Sequence, residues 1–283
     1  MLSDIFVVEN WFLLALGVVW IIGAVMQDLK RREVDNLWNF SLIAFAIVYR
    51  LIVSISIGNY WYFFNGVLGF LLFVVLGNLF YYGRVFAGGD AKLLIALGSI
   101  LPLSYSWITN FEIFGLFILL FMILGSVYAL LWSFVLVFLN FKQFKAGFVK
   151  YWKMFKKLIF VAIILAVLWI IFVFSLEKAE LSLVGLILVL FPILFVFAKT
   201  IENTCMVKLV EPKKVTLGDW LYKDIKIKGK KIKSNWEGVS EEQLKLIKSQ
   251  KKKILIKYGI PFTPSFLFAF FGLLIVAWRY GWI

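Results

Sequence analysis

Two aspartates stand where apolar stretches meet charged loops. Asp28 lies in Gln27-Asp28-Leu29-Lys30-Arg31-Arg32-Glu33-Val34-Asp35-Asn36, and Asp90 in Arg84-Val85-Phe86-Ala87-Gly88-Gly89-Asp90-Ala91-Lys92-Leu93-Leu94. Two carboxylates in one site cannot both ionise cheaply, so such a pair holds one proton between its members. The ionised member can then take a proton from water while the protonated member donates to a carbonyl oxygen. That is hydrolytic chemistry that needs neither a metal nor a covalent intermediate. The chain offers few other proton carriers, because histidine is absent and Cys205 is the single cysteine. Ser-His-Asp and Cys-His catalysis, HExxH zinc chemistry, Cys-rich zinc sites and intrachain disulfides are thereby excluded. No cofactor is expected.

Each residue of these loops also has a structural reading. Asp90 precedes an apolar helix and can serve as its N-cap; Asp35 reads as the cap of another helix rather than as a catalyst. Asp28 falls at the C-terminal end of an apolar helix, where the macrodipole disfavours a negative charge, although Lys30, Arg31 and Arg32 are near enough to offset that cost. Gly88 and Gly89 either turn the chain before a helix or let a substrate backbone approach Asp90 closely. Lys92 is either a snorkelling anchor or a residue of the site. Glu33 either solvates its loop or touches a basic substrate.

The elements that carry these loops follow from composition. Of 283 residues, 63% are hydrophobic, with a mean hydropathy of +0.95; soluble domains have about 45–50% apolar residues. Apolar blocks fall at residues 5–26, 37–57, 60–82, 91–103, 111–139, 158–176, 181–198 and 262–281. A run of about 20 apolar residues spans a bilayer, and only a helix satisfies every backbone group within one such segment. The expected fold class is therefore an all-α polytopic membrane protein with about eight transmembrane helices. The fourth block is short and open to a re-entrant reading, and the fifth is long enough to require tilt or an extension.

Charge then orients the chain. Twenty-seven of the 30 basic residues fall on one set of alternate connections, with Lys30, Arg31, Arg32, Arg84, Lys92, six lysines from Lys142 to Lys157 and sixteen from Lys199 to Lys257. The other side keeps Arg50, Lys178 and Arg279, beside Asp4, Glu9, Glu112, Glu177 and Glu180. The positive-inside rule puts the basic loops and both aspartates on the cytoplasmic side of the plasma membrane and both termini outside. A start bearing Asp4 and Glu9 lacks the basic region of a cleavable signal peptide, so the first helix is expected to stay. The net charge of +14 is assigned to orientation and to anionic lipid headgroups, and no nucleic-acid partner is expected.

Four regions follow: a catalytic membrane core at 1–110, further transmembrane helices at 111–198, a basic cytoplasmic insert at 199–258 and a C-terminal transmembrane helix at 259–283. The insert alternates at Lys226-Ile227-Lys228, which predicts a small strand-containing element. An amphipathic helix is predicted over 240–249, with Ser240 as its cap and Gln243 as the capping-box partner.

The two motifs resemble those of the GxGD aspartyl proteases and, more narrowly, those of the archaeal type IV prepilin and preflagellin peptidases. That family's second motif runs Gly-x-Gly-Asp-x-Lys-Leu; here Ala87 replaces the first glycine, and Gly89, Asp90, Lys92 and Leu93 match. The first motif corresponds to Asp28-Leu29-Lys30-Arg31-Arg32-Glu33-Val34. Gly218-Asp219-Trp220-Leu221, the segment 238–246 and Gly259-Ile260-Pro261-Phe262-Thr263-Pro264 resemble the insert and final helix of archaeal members. The resemblance implies an endopeptidase that removes a short basic leader, after a glycine, from type IV pilin-like precursors whose hydrophobic segment lies in the membrane. It makes Asp28 and Asp90 the catalytic pair, with Gly88, Gly89, Lys92 and Glu33 in support. The Cys-rich loop and methyltransferase activity of bacterial relatives are not expected in a chain with one cysteine.

Three other classes remain open. A transporter or channel would line its pathway with intramembrane charges. A lipid-processing enzyme could hold Mg²⁺ on two acidic loops. A family member without activity could serve as an assembly subunit.

Overall fold

The computed structural model describes residues 5–227 and 229–280. Asp4, Lys228 and Gly281 lie outside the described residues. Nine α-helices occur among them: α1 (Trp11–Arg31), α2 (Asn36–Ile57), α3 (Trp61–Tyr82), α4 (Gly88–Leu97), α5 (Trp107–Leu139), α6 (Phe141–Ser175), α7 (Ser182–Thr204), α8 (Glu241–Lys248) and α9 (Pro264–Tyr280). Five short strands lie between α7 and α9: β1 (Val207–Val210), β2 (Trp220–Leu221), β3 (Ile225–Ile227), β4 (Lys230–Ile232) and β5 (Ile254–Lys257). Six helices, α1 to α3 and α5 to α7, are long and apolar enough to cross a bilayer. The remaining two of the eight expected spans are shorter, with ten residues in α4 and 17 in α9. The chain is a helical multi-pass membrane protein with a small strand-containing insert.

The described chain divides into two compact units, one running to Leu130 and resuming at Ile260, the other covering Leu131–Gly259. In the first, α4 is the central element. Its residues Ala91, Leu93, Leu94, Ala96 and Leu97 are all buried, and it packs on α2 and α3. A ten-residue helix is about 15 Å long, half of the roughly 30 Å hydrocarbon thickness. Close approach of α3 needs small residues, because a Cβ on Gly69 would overlap Pro102 and the Gly98 carbonyl, and one on Gly77 would strike Ile95.

Past α4 the chain runs without regular structure through residues 101–103 before α5 begins. Irregular backbone at membrane depth is tolerated only where protein satisfies it, and one side chain does much of this. Arg50, fully buried, donates from Nε to Ser99 O (3.0 Å), from Nη1 to Tyr62 O (3.0 Å), and from Nη2 to Ile100 O (3.0 Å) and Pro102 O (2.6 Å). Its guanidinium also lies over the Tyr62 ring, 4.7 Å from the centroid. Three asparagines complete the knot: Asn10 and Asn65 donate to Leu103 O and Ser104 O, and Asn110 both donates to Ser104 O and accepts from its N–H. Arg50 is thus not the loop-side charge expected from sequence. It lies inside α2 with its charge spent on carbonyls, which leaves it lining no pathway of the transporter kind.

The second unit holds the end of α5, the α6–α7 hairpin and the insert. Residues 142–157, expected as a basic loop, are instead the first half of α6. Lysine propagates a helix well, and Phe144 and Phe155 form ring contacts with Phe197 and Phe195 of α7. The insert forms a β1-β5-β2 antiparallel sheet and a β3–β4 hairpin around a core that includes Leu221, Ile227, Ile247 and Ile256. Helix α8 carries the capping box predicted from sequence: Gln243 N–H donates to Ser240 Oγ (3.4 Å) and Ser240 N–H to Gln243 Oε1 (3.1 Å).

Replacing the guanidinium with a thioether tests the knot. Arg50→Met leaves four buried carbonyls without their donor and should lower stability by about 3 kcal/mol or more. Unfolding in detergent micelles reads this directly, and an unchanged midpoint would show that Arg50 holds nothing in place.

Candidate active site

Asp28 lies on the last turn of α1 and is 8% exposed. The helix stops just beyond it. Arg32 adopts a left-handed conformation, φ 58°, and its N–H donates to Asp28 O at 2.7 Å. Such a turn closes the helix and aims the chain into α2. The loop is braced by Gln27, whose Oε1 accepts from Asp35 N–H (3.0 Å) and Arg31 Nη2 (3.3 Å), and by the Arg31–Asp35 ion pair (2.7 Å). Asp35 occupies the N-cap position of α2, yet its side chain makes no cap bond and pairs with Arg31 instead. Glu33 is exposed on this loop, and Val34 beside it is buried.

α1 is tied to α2 just above this loop. The Trp20 and Trp38 indoles stack at 5.1 Å, and each N–H donates to the other residue's carbonyl, at 3.0 and 2.9 Å. A side chain on Gly23 would overlap the Trp38 ring. The end of α1 that bears Asp28 is therefore held against α2.

Asp90 sits on the first turn of α4, three residues past the N-cap, which is Ala87. Its carboxyl accepts from the Ala87 backbone N–H, so the cap reading from sequence is displaced by one that ties the carboxyl back across the turn. Ala87 has φ −70° and ψ 160°, ordinary extended backbone, which explains why alanine suffices where the resembling motif has glycine. Gly88 and Gly89 have no positive φ. A Cβ on either would meet only Tyr81 at 3.7 Å or Val34 N at 3.9 Å, so neither backbone nor packing demands glycine at these two positions. Lys92 Nζ donates to Asn36 Oδ1 at 2.6 Å, a strut between the two motif loops.

The structure places Asp28 within electrostatic reach of Asp90. Asp90 is pushed up from the usual 3.8 to about 7, first by enclosure in protein and second by the neighbouring Asp28 charge, with the Ala87 N–H pulling the other way. Part of the Asp90 side chain still reaches the surface; the carboxyl's protein surroundings set its titration.

A residue that sequence reasoning missed completes the site. Thr263, 1% exposed, donates to Asp28 Oδ2 from its backbone N–H (3.2 Å) and from Oγ1 (2.9 Å). It immediately precedes Pro264, the first residue of α9, and the only signal available was that Thr-Pro step at a helix start. Beneath the site Phe86, from the loop before Asp90, meets Phe80, Phe121, Phe262 and Phe266, with centroids 4.9–6.5 Å apart. That cluster links the α3–α4 loop to α5 and α9. Tyr128 of α5 lies within electrostatic reach of Asp28 and Arg32. Among the described residues no three metal-ligating side chains gather.

Fold and site together define a multi-pass helical membrane protein with two helix-end carboxylates within electrostatic reach of each other. Residues 15–141 match the model of the type IV leader peptidase family. The chain is 33% identical over 88 residues to a preflagellin peptidase of Methanococcus maripaludis, covering 31% of this chain and 37% of that protein. It is 26% identical over 93 residues to the preflagellin peptidase of Methanococcus voltae, covering 33% and 39%. For that of Methanocaldococcus jannaschii the identity is 29% over 86 residues, covering 30% and 36%. The chain thus spans little more than a third of the length of these relatives. No solved structure matches.

The raised Asp90 value carries a stability consequence. Between its unfolded and folded titration points the folded state binds the extra proton, so Asp90 favours the fold in acid and loses that contribution as pH rises from about 4 to about 7. Thermal unfolding of Asp90→Asn should therefore show a smaller drop in midpoint across that window than the wild-type chain. Parallel curves for the two proteins would refute the shift.

Proposed function

We propose that this chain is a membrane aspartyl endopeptidase that removes the short leader from type IV pilin-like precursors, prepilins or prearchaellins, at the cytoplasmic membrane face. Asp28 and Asp90 are its catalytic pair. The geometry that carries the reading is a buried Asp28 at the end of α1, held by Thr263 and within electrostatic reach of Asp90 on the first turn of α4. Enclosure and the Asp28 charge raise the titration of the Asp90 carboxyl, so that the pair shares one proton. The preflagellin peptidase relatives and the family match over both motifs support the substrate class.

Catalysis follows from that protonation state. The ionised carboxylate takes a proton from water as its oxygen attacks the scissile carbonyl, and the protonated one donates to the carbonyl oxygen. Gly88 and Gly89, which nothing in the chain packs against closely, leave room for an extended substrate backbone beside Asp90. Lys92 acts as a brace rather than a contact, since its ammonium is engaged by Asn36. Glu33, exposed on the Asp28 loop, is placed to meet a basic leader, whereas Asp35 is already paired with Arg31. The many lysines of the chain would repel such a leader at long range, so recognition rests on local contacts and on the substrate's hydrophobic segment.

Purified protein in detergent, incubated with a panel of leader-bearing precursors, tests the proposal. Asp28→Asn and Asp90→Asn should each reduce cleavage by about 100- to 10,000-fold while membrane insertion persists, and Asp35→Ala should keep most activity. Wild-type activity should fall as pH rises through about 7, where Asp90 loses its proton, and should survive excess EDTA. Full cleavage by either dyad variant would sink the assignment, and loss of activity in EDTA would favour a metal-dependent enzyme.

A further inference from the structure

Asp28 stands where two helix ends of opposite polarity meet. The C-terminal end of α1, on which it lies, disfavours a negative charge. The N-terminal end of α9 favours one, and Thr263 brings that end onto the carboxylate across 235 residues of chain. Both Thr263 donors, the backbone N–H at 3.2 Å and Oγ1 at 2.9 Å, converge on Oδ2, leaving Oδ1 outside this pair of bonds. Donors aimed at a carboxylate stabilise its charged form, and bonds to a charged acceptor are about twice as strong as neutral ones. Asp90 also lies near a helix N-terminus, but the backbone donor it accepts from is the single N–H of Ala87. Among the described residues, Asp90 from α4 and Tyr128 from α5 lie within electrostatic reach of Asp28, and Arg32 lies within reach of the same Tyr128.

We propose that Thr263 is a positioning residue that keeps the negative charge of the pair on Asp28 and the shared proton on Asp90. This rests on the peptidase reading and divides its chemistry. Asp28 removes a proton from water as the new C–O bond forms. The carbonyl π electrons move to oxygen, which takes the proton from Asp90. Asp28 then passes its proton to the leaving nitrogen as the C–N bond breaks, and Asp90 recovers a proton from the collapsing hydroxyl. Atoms and charge balance over the cycle, and the pair returns to its starting state.

The test uses Thr263→Val, which keeps shape and backbone N–H but removes the hydroxyl donor, and Thr263→Ser, which restores it; Thr263→Ala substitutes if valine unfolds the protein. Two readouts are needed. Rates of precursor cleavage across pH should show the acid limb moving up by about one pH unit in Thr263→Val and returning in Thr263→Ser. Carboxylate infrared bands in an Asp90→Asn background, differenced against Asp28→Asn/Asp90→Asn, should show the Asp28 stretching bands shifted in frequency when valine replaces threonine, because one of the two donors to Oδ2 is lost. An unmoved acid limb and unmoved bands in folded Thr263→Val overturn the clamp. A band shift without any wild-type cleavage of a precursor upholds the clamp but overturns the peptidase reading and the division of roles with it.

Discussion

Backbone groups buried at membrane depth must find partners within the protein, and α4 is too short to satisfy this alone. It ends at Leu97, so the buried carbonyls that follow need donors from elsewhere in the protein. A neutral side chain offers one or two donors. Arg50 offers a fork of five, and it reaches Ser99, Ile100, Pro102 and Tyr62 at once. The charge has no carboxylate among those partners, but it lies just past the C-terminus of α4, where the helix dipole favours a cation. Fixing the far end of α4 in this way fixes its near end as well. Asp90 is on the first turn of the same ten-residue rod, so its height and rotation follow from the Arg50 knot and from the close approach of α3 at Gly69 and Gly77.

The other carboxylate is held by a different logic. Asp28 cannot be positioned by its own helix, whose end repels it electrostatically, so its environment is assembled from elsewhere. Trp20 and Trp38 hold α1 against α2, the Gln27–Arg31–Asp35 bonds close the loop, and α9 delivers Thr263. The aromatic cluster around Phe86 then joins these supports, because Phe262 and Phe266 flank the Thr263 step while Phe86 leads into the Asp90 turn. Moving one carboxylate relative to the other would require repacking this cluster, and close-packed interiors resist such changes. The pair is thus rigid on both sides, with free space left at the two glycines.

How far sequence reached into this arrangement depends on the range of each interaction. Both aspartates are legible because each belongs to a short motif whose neighbours are adjacent in the chain, and apolar periodicity marks the helices that carry them. The capping box at Ser240 and Gln243 is legible for the same reason. Arg50 is not, because charge counting assigns it to a side of the membrane, whereas its meaning depends on carbonyls about 50 residues away that become acceptors only once α4 stops short. The Lys142–Lys157 stretch misleads in the opposite direction. Its charge suggests a loop, but the Phe144 and Phe155 rings lie on one face against α7 and continue the helix. Thr263 is legible only as part of a Thr-Pro helix start, since nothing local distinguishes a threonine that caps its own helix from one that holds a carboxylate on another.

That last residue also bears on how the site is distributed along the chain. The family match ends at residue 141, after both aspartates but well before α9, and residues 131–259 form a compact unit distinct from the one that holds both aspartates. A self-sufficient site would lie wholly inside the matched segment. Here the donor pair on Asp28 Oδ2 comes from beyond the insert, so the chain must complete that insert and return before Asp28 has its partners. The insert's fold makes this return economical: Glu202 at the end of α7 bonds both Lys199 and Lys257, which brings the strand before α9 back to the helix from which the insert departed. Entry and exit are thereby clamped together, and the chain emerges at Ile260 only three residues before the threonine that bonds Asp28.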